Sequence, residues 1–222
     1  MILGIDDAGR GPIIGPMVLA GVLLTNEQEK ILKENDVRDS KMLTQASRVI
    51  MEKLIKENSV SHKIIKASPE LIDGSLSSGT NLNELEAKMA AKIINYLNKD
   101  LTEQIKVIID CPSVNVGSWK VSLTKYLERT DNLEISCEHK ADANHISAAA
   151  GSILAKVTRE EEVSKLKKEF GDFGSGYPSD PKTKEFLVEK GKEFEDSGLF
   201  RKTWATWKKA YPENSQGTLD NF

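Results

Sequence analysis

Apolar residues fall along this chain in two rhythms, short unbroken runs and helical stripes. Ile2 to Asp6 is a short apolar run closing on an acid, followed by a glycine-rich turn, Ala8-Gly9-Arg10-Gly11-Pro12. Met17 to Leu24 is apolar throughout and predicts a buried strand. Asn26 to Glu34 predicts a short helix, and Gln45 to Glu57 another, opened by Thr44 as a capping hydroxyl. Val60 to Ala67 predicts a strand, and Ser68-Pro69-Glu70 starts a helix with proline in its first turn. The clearest helix is Asn81 to Asn98: Leu85, Met89, Ile93 and Leu97 repeat at helical spacing behind a cap-like pair, Asn81 and Glu84. Ile105 to Ile109 predicts a buried strand ending at Asp110, and Leu133 to Cys137 a further strand. Asn144 to Glu169 predicts a long helix with a face of small residues, Ala148, Ala149 and Ser152. A glycine-rich loop, Gly171 to Ser179, precedes a helix from Asp180-Pro181 through Phe194, and Thr203 to Ala210 predicts a last short helix.

Strands with interspersed helices, then helices alone, predict a mixed α/β domain carrying a helical C-terminal piece. The expected division is 1–170, 171–210 and a loose polar tail, 211–222. With 222 residues, 39% hydrophobic and 29% charged, one medium domain can build a packed core. The 31 basic and 34 acidic side chains leave a net charge of −3, so nucleic-acid binding has to rest on a local patch. No apolar run reaches a membrane span, and with a strand expected within Met1 to Asp7 no signal peptide is expected. Cys111 and Cys137 lack metal-ligand spacing and read as reduced, buried thiols; the expectation is a cytoplasmic monomer. No P-loop, Ser–His–Asp motif or zinc spacing occurs.

Four acids share a context. Asp6 and Asp7 end the first strand, Asp110 ends another, and Asp142 stands just before a helix. Strand ends are where loops build sites. Carboxylates converging there repel one another unless cations sit between them, and hard oxygen ligands suit Mg²⁺ or Mn²⁺. Two such ions about 3.5–4 Å apart are a device for in-line attack on a phosphodiester. Taken singly, each aspartate reads more readily as a turn or helix cap than as a metal ligand. His139 and His145 flank Asp142 and receive no catalytic assignment.

The blocks of sequence around these acids resemble type 2 ribonucleases H, the archaeal ones above all. Gly4-Ile5-Asp6-Asp7-Ala8-Gly9-Arg10-Gly11-Pro12-Ile13-Ile14-Gly15-Pro16 resembles that family's first motif. Asp39-Ser40-Lys41-Met42-Leu43-Thr44, Asn81-Leu82-Asn83-Glu84-Leu85, Glu138-His139-Lys140-Ala141-Asp142-Ala143, Ser147 to Arg159, and Gly174-Ser175-Gly176-Tyr177-Pro178-Ser179-Asp180-Pro181 follow in the family's order. The likeness spans about residues 2–209. It implies a ribonuclease H-like fold: a five-stranded mixed sheet flanked by helices, with a small helical C-terminal region. It also implies an endonuclease acting on the RNA strand of RNA–DNA hybrids and on single ribonucleotides in duplex DNA. Asp6, Asp7, Asp110 and Asp142 would hold two Mg²⁺ or Mn²⁺ ions. Gly9-Arg10-Gly11 would read the 2′-hydroxyl through backbone groups, and Tyr177 would stack on the next deoxyribose. Arg10, Lys41 and Lys140 are candidates for phosphate contacts. Type 3 enzymes share the fold but usually carry lysine at the position of Arg10, so the arginine favours type 2.

Position 7 departs from the family, which normally has glutamate there. Aspartate retracts the carboxylate by roughly 1–1.5 Å, either as a natural variant with compensation elsewhere or as a deliberate weakening. Two alternatives follow: a weakened duplex-binding protein, or a superfamily nuclease acting on DNA. At the end of the chain, Gln216, Leu219 and Phe222 resemble a sliding-clamp-binding peptide of the proliferating-cell nuclear antigen (PCNA) type, with Leu219 and Phe222 on one side of a helical turn.

Overall fold

The computed structural model describes residues 1–37 and 43–212. Five strands form one mixed sheet: β1 (Ile2–Ala8), β2 (Met17–Leu24), β3 (Ser61–Ala67), β4 (Ile105–Asp110) and β5 (Leu133–Glu138). Their order is β3-β2-β1-β4-β5. The first three strands form an antiparallel meander, and β4 and β5 join β1 in parallel. This is the mixed five-stranded sheet that the family resemblance implies.

Between β2 and β3 lie α1 (Asn26–Glu34) and α2 (Gln45–Glu57). Between β3 and β4 lie α3 (Pro69–Ser77) and α4 (Leu82–Asn98). Side-chain caps fix where they start: Thr25 with a reciprocal Gln28 contact, then Thr44, Ser68 and Asn81, each accepting the N–H three residues on. Leu85, Met89, Ile93 and Leu97 of α4 bury into the core with Leu3 and Ile5 of β1. The opposite face of the sheet is covered by α7 (Ile146–Phe170), whose Ala150, Ile153, Leu154 and Val157 pack on Val18, Ala20 and Val22 of β2.

Helix α7 approaches the sheet closely because two positions carry no side chain. A Cβ on Gly4 of β1 would overlap the α7 backbone at Ser147 and Ala148. A Cβ on Gly151 of α7 would lie 2.9 Å from the Ala20 carbonyl oxygen and 3.2 Å from the Asp6 nitrogen. The small-residue face predicted for this helix lets the two backbones meet.

Three details differ from the sequence reading. Helix α5 (Val116–Thr124) went unpredicted, because only Trp119 and Leu123 of it are buried and no apolar stripe marks it. Asp142 still precedes the long helix, but it lies inside a separate four-residue helix, α6 (Ala141–Asn144), that the sequence did not predict. Helix α8 (Pro181–Lys190) stops short of Phe194, and turns follow as far as Gly198. In and around α8 and α9 (Ala205–Ala210), Phe173, Phe186, Leu187, Leu199, Phe200 and Trp207 cluster around Ile13 and Ile14 of the β1–β2 connection. No helix among the described residues is long and apolar enough to cross a membrane.

Candidate active site

The sheet brings the acids together. Strands β1 and β4 run parallel with Ile5 opposite Ile109, so Asp6 and Asp110 follow side by side at neighbouring strand ends. Beyond β5 the chain turns through Lys140, in the left-handed conformation at φ 60°, and enters α6 with Asp142 in its first turn. One carboxylate oxygen from each of Asp6, Asp110 and Asp142 lies within 4.8 Å of the others. Asp110 accepts the Ala141 N–H at 3.3 Å, and Asp6 accepts the Asp7 N–H at 2.7 Å. Asp7 is not in this triad. Successive side chains leave a strand on opposite faces, so Asp7 shares the α4 side with Leu3 and Ile5. It nevertheless adjoins the triad, lining a small hollow with Asp6, Asp110, Glu86 and Trp119.

The electrostatics match that crowding. Burial, with the Asp7 and Asp110 charges, pushes the Asp6 carboxyl well above the ordinary range, against a Ser152 hydrogen bond. Asp7 is raised to about 6 by burial first, with Asp110 adding and Arg10, Lys156 and Arg201 opposing. Glu86, only 1% exposed, is pushed up to about 8 by burial and by Asp7, although Arg10 pairs with it. Such a gathering of carboxylates is favourable only with cations between them. The donor set is entirely hard oxygen and fits a divalent ion of the Mg²⁺ type.

Beside the acids runs an open groove of about 420 Å³, lined by Asp7, Gly9, Arg10, Gly11, Lys156 and Tyr177 among others. Gly9 has φ +83°, a conformation L side chains avoid, and a Cβ there would strike Arg159. The Tyr177 ring stands 3.5 Å from where a Gly11 Cβ would be, and the Arg159 guanidinium carbon lies 5.5 Å from its centroid. The Arg10 side chain, expected at phosphate, is engaged by Glu86 and by Asn83 at 2.7 Å. Lys140 is exposed next to α6. His139 faces the Cys111 carbonyl at 3.1 Å and His145 meets Glu138 at 3.0 Å. Lys41 and the tail residues Gln216, Leu219 and Phe222 lie outside the described residues.

Sequence reasoning missed Glu86, Lys156, Arg159 and Arg201. Glu86 left a signal: it shares the apolar stripe of α4 with Met89, Ala90 and Ile93, where a charge is out of place. Arg201, fully buried beside the Trp204 ring, left none that periodicity detects.

Clustered acids at the parallel end of a mixed sheet, beside a groove floored by glycines, define a metal-dependent phosphodiesterase site on a ribonuclease H-like fold. The family described as Ribonuclease HII matches residues 3–207. Ribonuclease HII of Pyrococcus furiosus is 42% identical over 99% of this chain and 96% of its own length. The crystal structure of ribonuclease H2 from Pyrococcus horikoshii superimposes with a TM-score of 0.82 at 36% identity, covering 94% of this chain and 96% of that one. A structure of the PCNA:RNase HII complex from Archaeoglobus fulgidus matches over the full length of both chains, with a TM-score of 0.80 and 36% identity. The chain belongs to the ribonuclease HII family and is an endoribonuclease H.

Proposed function

We propose that this endonuclease, which hydrolyses the RNA strand of RNA–DNA hybrids, also cuts at single ribonucleotides embedded in duplex DNA, with Asp6, Asp7, Asp110 and Asp142 as its catalytic acids. The observation that carries the reading is the carboxylate triad beside a glycine turn that faces Tyr177 across one groove. Asp6, Asp110 and Asp142, with Asp7 adjoining, would hold two Mg²⁺ or Mn²⁺ ions. Bound there, the ions supply activation of water and neutralisation of charge at the leaving oxygen.

The chain's own residues do the rest. The Gly9-Arg10-Gly11 backbone meets the 2′-hydroxyl, which only a ribonucleotide carries. Tyr177, 41% exposed, offers a flat ring to the following sugar. Residues 171–210 serve substrate binding, since they carry Tyr177 and brace the turn. Lys140 and Lys41 contact backbone phosphates, while Arg10 contributes its backbone and ties the turn to α4. The tail residues Gln216, Leu219 and Phe222 dock on a sliding clamp. The A. fulgidus relative solved with PCNA supports that partner.

The test is cleavage of a DNA duplex bearing one ribonucleotide, run in Mg²⁺, in Mn²⁺ and in chelator, beside an all-DNA duplex. Metal-dependent cutting confined to the ribonucleotide is expected. Equal cutting of the all-DNA duplex, or binding without cutting in either metal, overturns the proposal.

A further inference from the structure

The turn read above as the ribose sensor is held from beneath by a side chain far along the chain. Arg201 is fully buried. Its Nη2 donates to the Gly9 carbonyl at 2.6 Å and to the Gly15 carbonyl at 2.9 Å. Its Nη1 donates to the Arg10 carbonyl at 2.8 Å, and its Nε to Gly15 at 3.0 Å. Three residues on, Trp204 Nε1 donates to the Gly11 carbonyl at 3.2 Å. The carbonyls of all three turn residues are therefore taken by donors from one C-terminal segment. The strapping continues through the backbone: Arg201 N–H donates to Ile13 at 2.8 Å, and Gly15 N–H donates to Leu199 at 3.1 Å.

A buried guanidinium is a costly way to fill space, and an apolar side chain would pack as well. What it adds is geometry, because its rigid fork of donors fixes several acceptors at once. There are no cis peptides among the described residues, and in a trans peptide the N–H points opposite to the preceding C=O. Drawing the Gly9 and Arg10 carbonyls inward to Arg201 thus turns the N–H groups of Arg10 and Gly11 the other way, toward the groove that these residues line. Two outward donors suit a hydroxyl oxygen, an acceptor that deoxyribose lacks.

We propose that Arg201, assisted by Trp204, is a positioning residue for ribose selection: it holds the Gly9–Gly11 turn with its amides presented to the 2′-hydroxyl. The inference rests on the reading of that turn as the ribose sensor. Arg201→Lys keeps the charge but cannot span three carbonyls. Trp204→Phe keeps a ring and removes one donor, and serves as the milder variant if the first folds poorly.

Two measurements on the full-length variants test it. Hydrogen–deuterium exchange over residues 9–16 should rise in both variants. On the single-ribonucleotide duplex, kcat/KM should fall at least about tenfold for Arg201→Lys and less for Trp204→Phe. Affinity for an all-DNA duplex and the Mg²⁺ concentration for half-maximal rate should hold constant. Unchanged exchange, or a loss that also reaches all-DNA binding or the Mg²⁺ dependence, overturns the positioning role. If the wild type cuts an all-DNA duplex equally well, the sensor reading falls and takes this inference with it. If the wild type shows 2′-hydroxyl dependence and Arg201→Lys matches it, the inference alone falls.

Discussion

Replacing Gly151 by alanine adds a single methyl group at the seam between α7 and the sheet. That Cβ would sit 2.9 Å from the Ala20 oxygen, 3.2 Å from the Asp6 nitrogen and 3.3 Å from the Gly4 oxygen. All three neighbours are backbone atoms, so no flexible side chain can swing aside. Ordinary contact needs about 3.4–4 Å, so the helix must withdraw by roughly 0.5–1 Å. Two effects then oppose each other in stability. Overpacking costs about 1–3 kcal/mol, while exchanging glycine for alanine inside a helix regains about 1 kcal/mol. The net change is about 0–2 kcal/mol, a few degrees in Tm. Catalysis has no such offset. The displaced helix carries α6 with it, since the Ala149 N–H is bonded to His145 O at 2.9 Å, and α6 holds Asp142 against Asp6. A misplacement of 1 Å costs up to about a hundredfold in rate, so a half-ångström shift predicts about a tenfold loss of kcat. The assay is single-turnover cleavage of an RNA–DNA hybrid in saturating Mg²⁺, beside a thermal melt. Wild-type kcat in a folded Gly151→Ala protein would refute the claim that this seam sets the spacing of the acids.

Three further outcomes are expected. Asp7→Glu restores about 1.5 Å of reach and should raise the Mg²⁺-supported rate; an equal or lower rate counts against a positional defect at residue 7. Burial raises the folded-state carboxyl of Glu86 from 4.5 to about 8 and that of Asp7 from 3.8 to about 6, so the folded chain binds protons that the unfolded chain has released. Their stabilising effect is therefore largest at low pH and fades as pH climbs through the folded values. In chelator, urea melts should show a loss on the order of 2–4 kcal/mol from Glu86 between pH 5 and pH 8, and Glu86→Gln should flatten that slope. Deleting residues 216–222 should abolish binding to a PCNA-type clamp and leave cleavage of short duplexes intact, as pull-down and cleavage assays would show.

Much of the architecture was legible because burial imprints itself on sequence. Met17–Leu24 is buried at every position and is apolar at every position. The stripe of α4 and its Asn81 cap marked that helix before any contact was known. Where burial is slight the print fades, and α5, with two buried residues in nine, passed unseen. Asp6, Asp7 and Asp110 were legible as strand-end residues, and Asp142 by its place ahead of a helix. Their convergence was not, because it depends on β4 adding in parallel beside β1 and on the turn at Lys140; only the resemblance to a known family supplied it. The link from Arg201 to Gly9, 192 positions apart, joins a side chain to main-chain oxygens and leaves no pattern in either segment.

The first strand lies in the middle of the sheet, with β2 on one side and β4 on the other. On a ribosome, β2 emerges almost at once, but Lys106, the register partner of Ile2, is made roughly a hundred residues later. At ordinary elongation rates that is a wait of about 5–20 s. During that interval a hydrophobic strand of the nascent chain exposes one unpaired edge, the kind of template on which stray strands add. Changing the speed of synthesis over the first hundred codons should therefore change the yield of folded protein, as expression from synonymously recoded genes would show.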